Sequence, residues 1–165
     1  MGQTKAIAVW QPRAVTRTGV AADCATQHTV NLFTVLGDIL MVGIIGKVIA
    51  AKDAGAQLLR LGHVPTIGAV EAFLCAASLT TATDAIDSIY SITGVSTDAM
   101  IVTQIGTALG IGQFQINALG TIRSAMVLVP GILRLTTSIA NDITGLIDWT
   151  ILYQPLSATS VVTVL

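Results

Sequence analysis

Apolar and polar positions alternate along residues 146–154, and this alternation is the clearest structural signal in the chain. Every second side chain is large and apolar, whereas the positions between them include Asp148, Thr150 and Gln154. Because side chains alternate across a β-strand, the pattern predicts a strand with one buried face and one face that meets water. Pro155 has no N–H to donate and should end the strand. The predicted buried face consists of Ile147, Trp149, Ile151 and Tyr153.

A second predicted strand, residues 131–137, comes before it, and the polar residues 138–145 separate the two. Two β-prone runs joined by a short polar segment are typical of a hairpin, so we expect these strands to be neighbours. Trp149 and Tyr153 would then be core residues rather than a platform for a ligand.

The most apolar window, residues 30–51, allows two interpretations. It is long enough to cross a bilayer as a helix, but Asp38 and Lys47 would each cost roughly 2.5–3.5 kcal/mol near the centre of such a helix. The apolar side chains return only about the same amount. A turn at Gly37-Asp38 between β-branched runs favours a hairpin of two buried strands instead, residues 29–36 and 39–51.

Short β-prone segments recur along the rest of the chain at spacings of about ten residues, with Gly, Pro, Asp and Ser turns between them. This arrangement predicts an all-β fold, either a β-sandwich or a β-barrel. We expect a single such domain over residues 27–165. Its last strand should lie in the uncharged tail, residues 157–165, and an edge strand of that composition needs a neighbour to cover it.

Charged residues make up only 10% of the 165 residues, while hydrophobic residues make up 53%. Soluble domains average roughly 25% charged residues, so neighbouring molecules or lipid should cover much of this surface. The formal net charge of −1 argues against a nucleic-acid-binding protein, which needs a basic patch. With residues 30–51 interpreted as strands, we expect protein partners, no nucleic acid and no membrane.

Residues 1–26 differ in kind from the rest, since they mix polar and basic residues with small ones and show little periodicity. We expect an extended N-terminal arm that packs on a partner or on the domain. Tryptophan and arginine are enriched among the residues that dominate interface energies. The candidate partner-binding residues of the arm are therefore Trp10, Arg13 and Arg17.

Histidine and cysteine are sparse and isolated in this chain. His28 and His63 have no cysteine or acid at a ligand spacing, and we expect His63 to lie in a loop. Cys24 and Cys75 form neither a metal pattern nor a disulfide framework. We expect free, buried thiols that pack as small apolar side chains.

Two other patterns imitate functional motifs. Asp84 and Asp87 are spaced as paired carboxylates can be, but the Asp-x-Asp-x-Asp-Gly loop of a calcium site is absent. The glycine-rich residues 106–112 lack the Lys-Ser/Thr of a phosphate loop. We therefore predict a protein that is not an enzyme and that has no metal or cofactor, although residues distant in sequence can still meet in a fold.

Several groups of residues form a longer pattern in a fixed order. The first is Leu32, Phe33, Thr34, Val35, Leu36, Gly37 and Asp38, followed by Gly46, Lys47 and Val48. The middle of the chain contributes Cys75, Ala76 and Ala77, and then Tyr90, Ser91, Ile92, Thr93 and Gly94. The last group is Gly131 and Ile132, followed by Thr144, Gly145, Ile147, Trp149, Tyr153, Pro155 and Leu156.

In this order, these residues resemble a group of small β-rich virion proteins of tailed bacteriophages. The resemblance covers about residues 29–161. Leu36 replaces the second threonine of the group's leucine-phenylalanine-threonine-valine-threonine-glycine strand, and the N-terminal arm is an addition.

The resemblance implies a component of the virion, assembled in the host cytoplasm. It implies a capsid decoration or cement protein that stabilises the phage head by binding the major capsid protein, as a homotrimer. A tail or baseplate component is the alternative that the resemblance leaves open. A small membrane protein such as a lysis factor would follow only if residues 30–51 formed a helix.

Overall fold

The computed structural model describes residues 11–20, 29–51, 58–78, 85–103, 125–137 and 145–165, and their regular secondary structure is entirely β-strand. The strands are β1 (Arg13–Arg17), β2 (Thr29–Leu36), β3 (Ile39–Ala50), β4 (Leu59–Pro65), β5 (Ala72–Phe73), β6 (Ile89–Ser91), β7 (Ile101–Thr103), β8 (Met126–Leu128), β9 (Gly131–Thr137), β10 (Leu146–Pro155) and β11 (Val161–Val164).

The strands form two antiparallel sheets. Sheet 1 has the order β1-β10-β3-β6-β7, and β8 also pairs with β3. Sheet 2 has the order β11-β2-β9-β4-β5. Neither sheet closes on itself within the described residues, so the fold is a β-sandwich, and the predicted all-β class is confirmed.

The core lies between the two sheets, and β10 supplies two of its three largest side chains, Trp149 and Tyr153. The alternation predicted for this strand is confirmed: its four large apolar residues are buried, and the positions between them are partly exposed. Trp149 is fully buried and lies against Tyr90 of β6, with ring centroids 6.2 Å apart. Trp149 and Tyr153 are therefore core residues, as their positions in the alternation predict.

The close approach of β3 to Trp149 explains why a glycine stands at position 46. Gly46 and Trp149 are opposite each other in the β3–β10 register. A Cβ at Gly46 would lie 2.8 Å from two carbons of the indole ring, which is too close for real contacts. Gly46 and Trp149, which both belong to the resembling pattern, are thus one packing unit.

The two predicted hairpins are wrong, although their strands are present. β2 lies in sheet 2 and β3 in sheet 1, and β9 and β10 are divided in the same way. β2 pairs instead with β9 and β11, while β3 pairs with β10, β6 and β8. A turn dipeptide can connect two strands of one sheet or cross to the facing sheet. Here each strand needs its apolar face on the common core, and crossing provides that.

The turn that carries the chain from β2 in sheet 2 to β3 in sheet 1 contacts the connection between β10 and β11. Gly37 has φ +69° and lies so close to Ser160 that a Cβ would be 2.7 Å from its hydroxyl oxygen. The Leu156 N–H donates to the Asp38 carbonyl at 3.1 Å. The β2–β3 and β10–β11 connections therefore pack against each other at one end of the sandwich.

Part of the predicted arm forms a strand of the sandwich. β1 pairs with β10 along its whole length, from Arg13 opposite Tyr153 to Arg17 opposite Trp149. Residues 1–10 and 21–28 lie outside the described part of the chain.

Candidate interaction surface

β1 is an edge strand of sheet 1 and β11 an edge strand of sheet 2, and the two lie on the same side of the sandwich. The Arg17 side chain joins them, because its Nε donates to the Leu165 carbonyl at 3.2 Å. Tyr153 reaches from sheet 1 to sheet 2, where its hydroxyl accepts a hydrogen bond from the Val162 N–H at 3.2 Å. The tail forms an edge strand, β11, as predicted. Val164 of this strand is about half exposed.

The three residues predicted to bind a partner have different environments. Arg13 is exposed at the start of β1. Arg17 is only 8% exposed and uses its guanidinium within the chain. Trp10 lies outside the described residues.

The outer face of sheet 1 carries an apolar surface that we call the outer patch, defined as Leu40, Val42, Val127 and Leu152. Val127 is 60% exposed and Val42 is 43% exposed, while the two leucines are partly exposed.

The strand registers make the outer patch contiguous across three strands, β8, β3 and β10. Leu40 is opposite Val127 of β8, and Leu152 of β10 is opposite Gly43, next to Val42. The neighbours of the leucines on this face are Ala14 of β1, opposite Leu152, and Gln154 of β10, opposite Leu40. Neither neighbour is charged.

A shallow hollow lies beside the outer patch because two short strands share one side of β3. β8 pairs with residues 39–41 and β6 with residues 45–47, so residues 42–44 have no strand partner there among the described residues. Val42 is also the extra residue of a β-bulge, because Gly43 and Met41 face consecutive residues of β10. The hollow is lined by Met41, Val42, Gly43, Ile92, Thr93, Gly94 and Met126.

The other end of the same face is charged. The Lys47 Nζ lies 2.7 Å from the Asp87 Oδ1, and both side chains are about half exposed. This hydrogen bond and the attraction of Asp87 raise the pKa of Lys47. Asp148, opposite Lys47 on β10, accepts a hydrogen bond from the Gly19 N–H at 2.8 Å.

His63 is buried in a strand, so the expectation of a loop histidine is wrong. It belongs to β4, points into the sandwich, and is 5% exposed. Its Nε2 has no hydrogen-bond partner among the described residues. Burial lowers the pKa of His63, and a hydrogen bond with the Val129 backbone opposes that shift. The alternation of Leu59 and Leu61 continues through Gly62 to His63, and the glycine obscured it.

Cys75 is a free, buried thiol, as expected, and burial raises its pKa. This direction disfavours the reactive thiolate. Cys24 lies outside the described residues.

The outer face of sheet 2 carries a group of partly exposed side chains. The Arg60 guanidinium lies 3.3 Å from the centroid of the Phe73 ring. Glu71 covers Gly62 beside them, and Arg134 stands opposite Gly62 on β9. The Glu71 Oε1 and the Arg134 Nε are buried and have no hydrogen-bond partner within the described part of the chain.

The other candidate motifs give no assembled site in the structure. Asp87 pairs with Lys47, while Asp84, His28 and the glycine-rich residues 106–112 lie outside the described residues. Where the chain is described, no three His, Cys, Asp or Glu residues are grouped as a metal site would require. The described residues also include no helix of the length and apolar character needed to cross a membrane.

Comparison with known proteins finds little. No protein-family model matches the chain, and no curated protein matches it. One solved chain, from "Structure of infectious bursal disease virus Gx strain", is similar at 15% sequence identity with a TM-score of 0.28. The match covers 93% of this chain and 39% of that chain, so this chain spans about two fifths of the viral one.

The sequence patterns did not single out the outer patch. The only signal for it was that residues 39–42, Ile-Leu-Met-Val, are uniformly apolar where a half-exposed strand would alternate with polar residues. The sequence predicts a buried strand over this run, and the structure exposes Val42.

Proposed function

We propose that the protein is a structural component of a bacteriophage virion: a decoration or cement protein that binds the major capsid protein as a homotrimer. It would act in the assembled particle, after assembly in the host cytoplasm. The role requires no catalysis, cofactor or nucleic acid.

The observation that carries the proposal is the outer patch, whose Val42 and Val127 are exposed on a protein with few charges. Exposed apolar surfaces of this kind mark sites of protein association. The resemblance to small virion proteins of tailed phages supplies the kind of assembly. Its residues Gly37, Gly46 and Trp149 are those whose packing the sandwich depends on.

The N-terminal residues are the proposed contact with the major capsid protein. β1 attaches them to β10, and Arg17 secures the inner end of this strand through the Leu165 carbonyl. Arg13 is exposed at the outer end, directly after residues 1–12. Trp10 and Arg13 are therefore assigned to the capsid contact, and Arg17 to holding the strand in place.

Quantitative mass spectrometry of purified virions tests the location. A decoration protein should be present at a copy number comparable with that of the major capsid protein. A few copies per particle would favour the tail or baseplate, and absence from the particle would contradict the proposal.

A truncation tests the contact with the capsid. Removing residues 1–11 should leave β1 and the melting temperature nearly unchanged but reduce binding to heads that lack the protein. Removing residues 1–17 should also destabilise the fold, because β10 loses one of its two neighbouring strands. If the shorter truncation binds heads as well as the full chain does, the assignment of Trp10 is wrong.

A further inference from the structure

We propose that His63 is an acid-sensitive latch for one corner of the sandwich. The β8 corner is defined here as β8 together with Val129 and Pro130, which carry the chain from sheet 1 into β9 of sheet 2. With a neutral imidazole the corner is closed, and protonation of His63 releases it while the rest of the sandwich stays folded. Because Val127 of β8 belongs to the outer patch, release also removes part of that surface. The latch does not depend on the virion role proposed above.

His63 connects sheet 2 to the segment that crosses between the sheets. Its side chain lies inside the sandwich, 5% exposed, and forms a hydrogen bond with the Val129 backbone. Since Nε2 has no partner among the described residues, Nδ1 is the donor of this bond. One residue beyond β4, the Thr66 N–H donates to the Pro130 carbonyl at 2.8 Å. Both residues of the crossing segment are thus attached to the end of β4.

The environment of Nε2 does not accommodate a second proton. A Cβ built on Gly131 would lie 2.6 Å from Nε2, so this nitrogen packs directly against the backbone of β9. No acceptor lies within hydrogen-bonding distance of it in the described part of the chain. A second N–H at this position would be a buried, charged and unpaired donor, which costs more than the hydrogen bond to Val129 contributes.

No charged side chain faces the imidazole from the described elements packed against it. Its pKa is set by burial and by the Val129 backbone, with no contribution from a neighbouring charge. Cys75, on the segment after β5, is a buried thiol whose raised pKa keeps it neutral. Arg17, a buried cation, binds Leu165 beside β11, at the far edge of sheet 2. The charged residues near β4 stand on the outer face of sheet 2, and the inward-facing residues of β3, β8 and β9 at this end are apolar: respectively Arg60, Glu71 and Arg134, and Ile39, Met41, Leu128, Gly131 and Leu133.

The weak attachment of β8 makes the release local. β8 has three residues, and among the described strands it pairs only with residues 39–41 of β3. β4 is paired with β9 along its whole length and also with β5. His63 lies two residues before the end of β4, and Val129 is 45% exposed. The charged ring therefore reaches water when the β8 corner moves away, and β4 can stay in place.

The direction of the pH effect follows from where the proton binds. Below the ordinary histidine pKa of 6.5, the open corner binds a proton that the closed corner resists. The equilibrium constant for opening should therefore rise by up to about tenfold for each pH unit below that value. Above it, the imidazole is neutral in both states and opening should not depend on pH.

Native-state hydrogen exchange of the full-length protein between about pH 7.5 and about pH 5 tests the latch, with each rate corrected for the intrinsic pH dependence of exchange. The Thr66 amide reports on the β8 corner, because its acceptor is the Pro130 carbonyl. Its protection should fall by more than about tenfold over this range. The Leu74 amide donates to the Leu61 carbonyl of the same strand, β4, at 3.0 Å, and it should keep its protection.

His63→Gln should abolish the pH dependence at Thr66, because glutamine can donate to the Val129 carbonyl but does not titrate. His28→Gln, which removes the other histidine, should behave like the wild type. Unchanged protection at Thr66 overturns the latch, and so does an equal loss at Thr66 and Leu74, which would mean that the whole sandwich opens. A fall at Thr66 that persists in His63→Gln also overturns it. If His63→Gln does not fold, a fall confined to Thr66 in both the wild type and His28→Gln still supports the latch.

Discussion

The inner and outer faces of sheet 1 are built from the same strands but use apolar residues differently. On the inner face, Trp149 lies against Gly46 and Tyr90 in a fit that leaves no room for one extra carbon. On the outer face, Leu40, Val42 and Val127 share one surface but remain open to solvent. The contrast shows that apolar character alone does not distinguish a residue that holds the sandwich together from one that stays exposed to solvent.

Substituting Trp149 should have the largest effect, because it breaks the inner face at its most closely packed point. Trp149→Ala removes a fully buried indole and should cost about 3–5 kcal/mol of unfolding free energy. Urea denaturation followed by circular dichroism measures the loss. Leu152→Ala, on the outer face of the same strand, should cost less than half as much. Equal losses at the two positions would mean that the faces do not differ as described.

Removing the Tyr153 hydroxyl should have a smaller effect on the unfolding free energy than substituting Trp149 on the same inner face. Tyr153→Phe preserves the ring but leaves the buried Val162 N–H without its acceptor, which should cost about 1–3 kcal/mol. Hydrogen exchange at the Val162 amide should become faster. Thr150→Val is the control, since the hydrogen bond between Thr150 and Thr16 is exposed and should contribute little. An unchanged exchange rate at Val162 would show that the hydroxyl does not close this edge.

Local alternation predicted the strands and their buried faces well, because burial against one core imposes a period of two on the sequence. The inner face of β10 is the clearest case. Strand partners were not predictable in the same way. β2 and β3 are adjacent in sequence but lie in opposite sheets, and their pairing depends on distant strands such as β9 and β10. No local property of Gly37-Asp38 reports those distant contacts.

The outer patch was harder to predict than the fold for a related reason. Val127 and Leu40 are far apart in sequence, and they form one surface only because β8 pairs with β3. A valine facing solvent and a valine facing the core follow the same alternation, so the sequence pattern could not assign either side. The contact between Arg17 and Leu165 could not be predicted from local sequence either, because the two residues lie near opposite ends of the described chain.

His63 makes the inner face sensitive to pH. Burial lowers its pKa below the ordinary value of 6.5, so above that value it is neutral in both the folded and the unfolded chain. As the pH falls below 6.5, the unfolded chain binds a proton that the folded chain resists, and the unfolding free energy should decrease. Urea denaturation at several values between about pH 8 and about pH 5 measures this slope.

His63→Gln should remove the part of the slope that comes from this site, since glutamine does not titrate and can still donate to the Val129 carbonyl. His28→Gln is the matched control for the other histidine. If the slope disappears in His28→Gln and remains in His63→Gln, the assignment to the buried histidine is wrong.

The smallest effect is expected at the charged end of the outer face, where Lys47 and Asp87 pair in contact with water. The raised pKa of Lys47 means that this pair is intact at neutral pH and weakens only as the pH rises beyond 10.5. Solvent screens exposed pairs of this kind, so Lys47→Met should change the unfolding free energy very little.

Asp87 also has φ +71°, which asparagine tolerates and a β-branched residue does not. Asp87→Asn should therefore be nearly neutral, and Asp87→Val should be clearly destabilising, because its effect comes from the backbone and not from the lost charge. A large loss in both Lys47→Met and Asp87→Asn would show that this end of the sheet depends on its ion pair, and that the charged end of the outer face is not merely solvated.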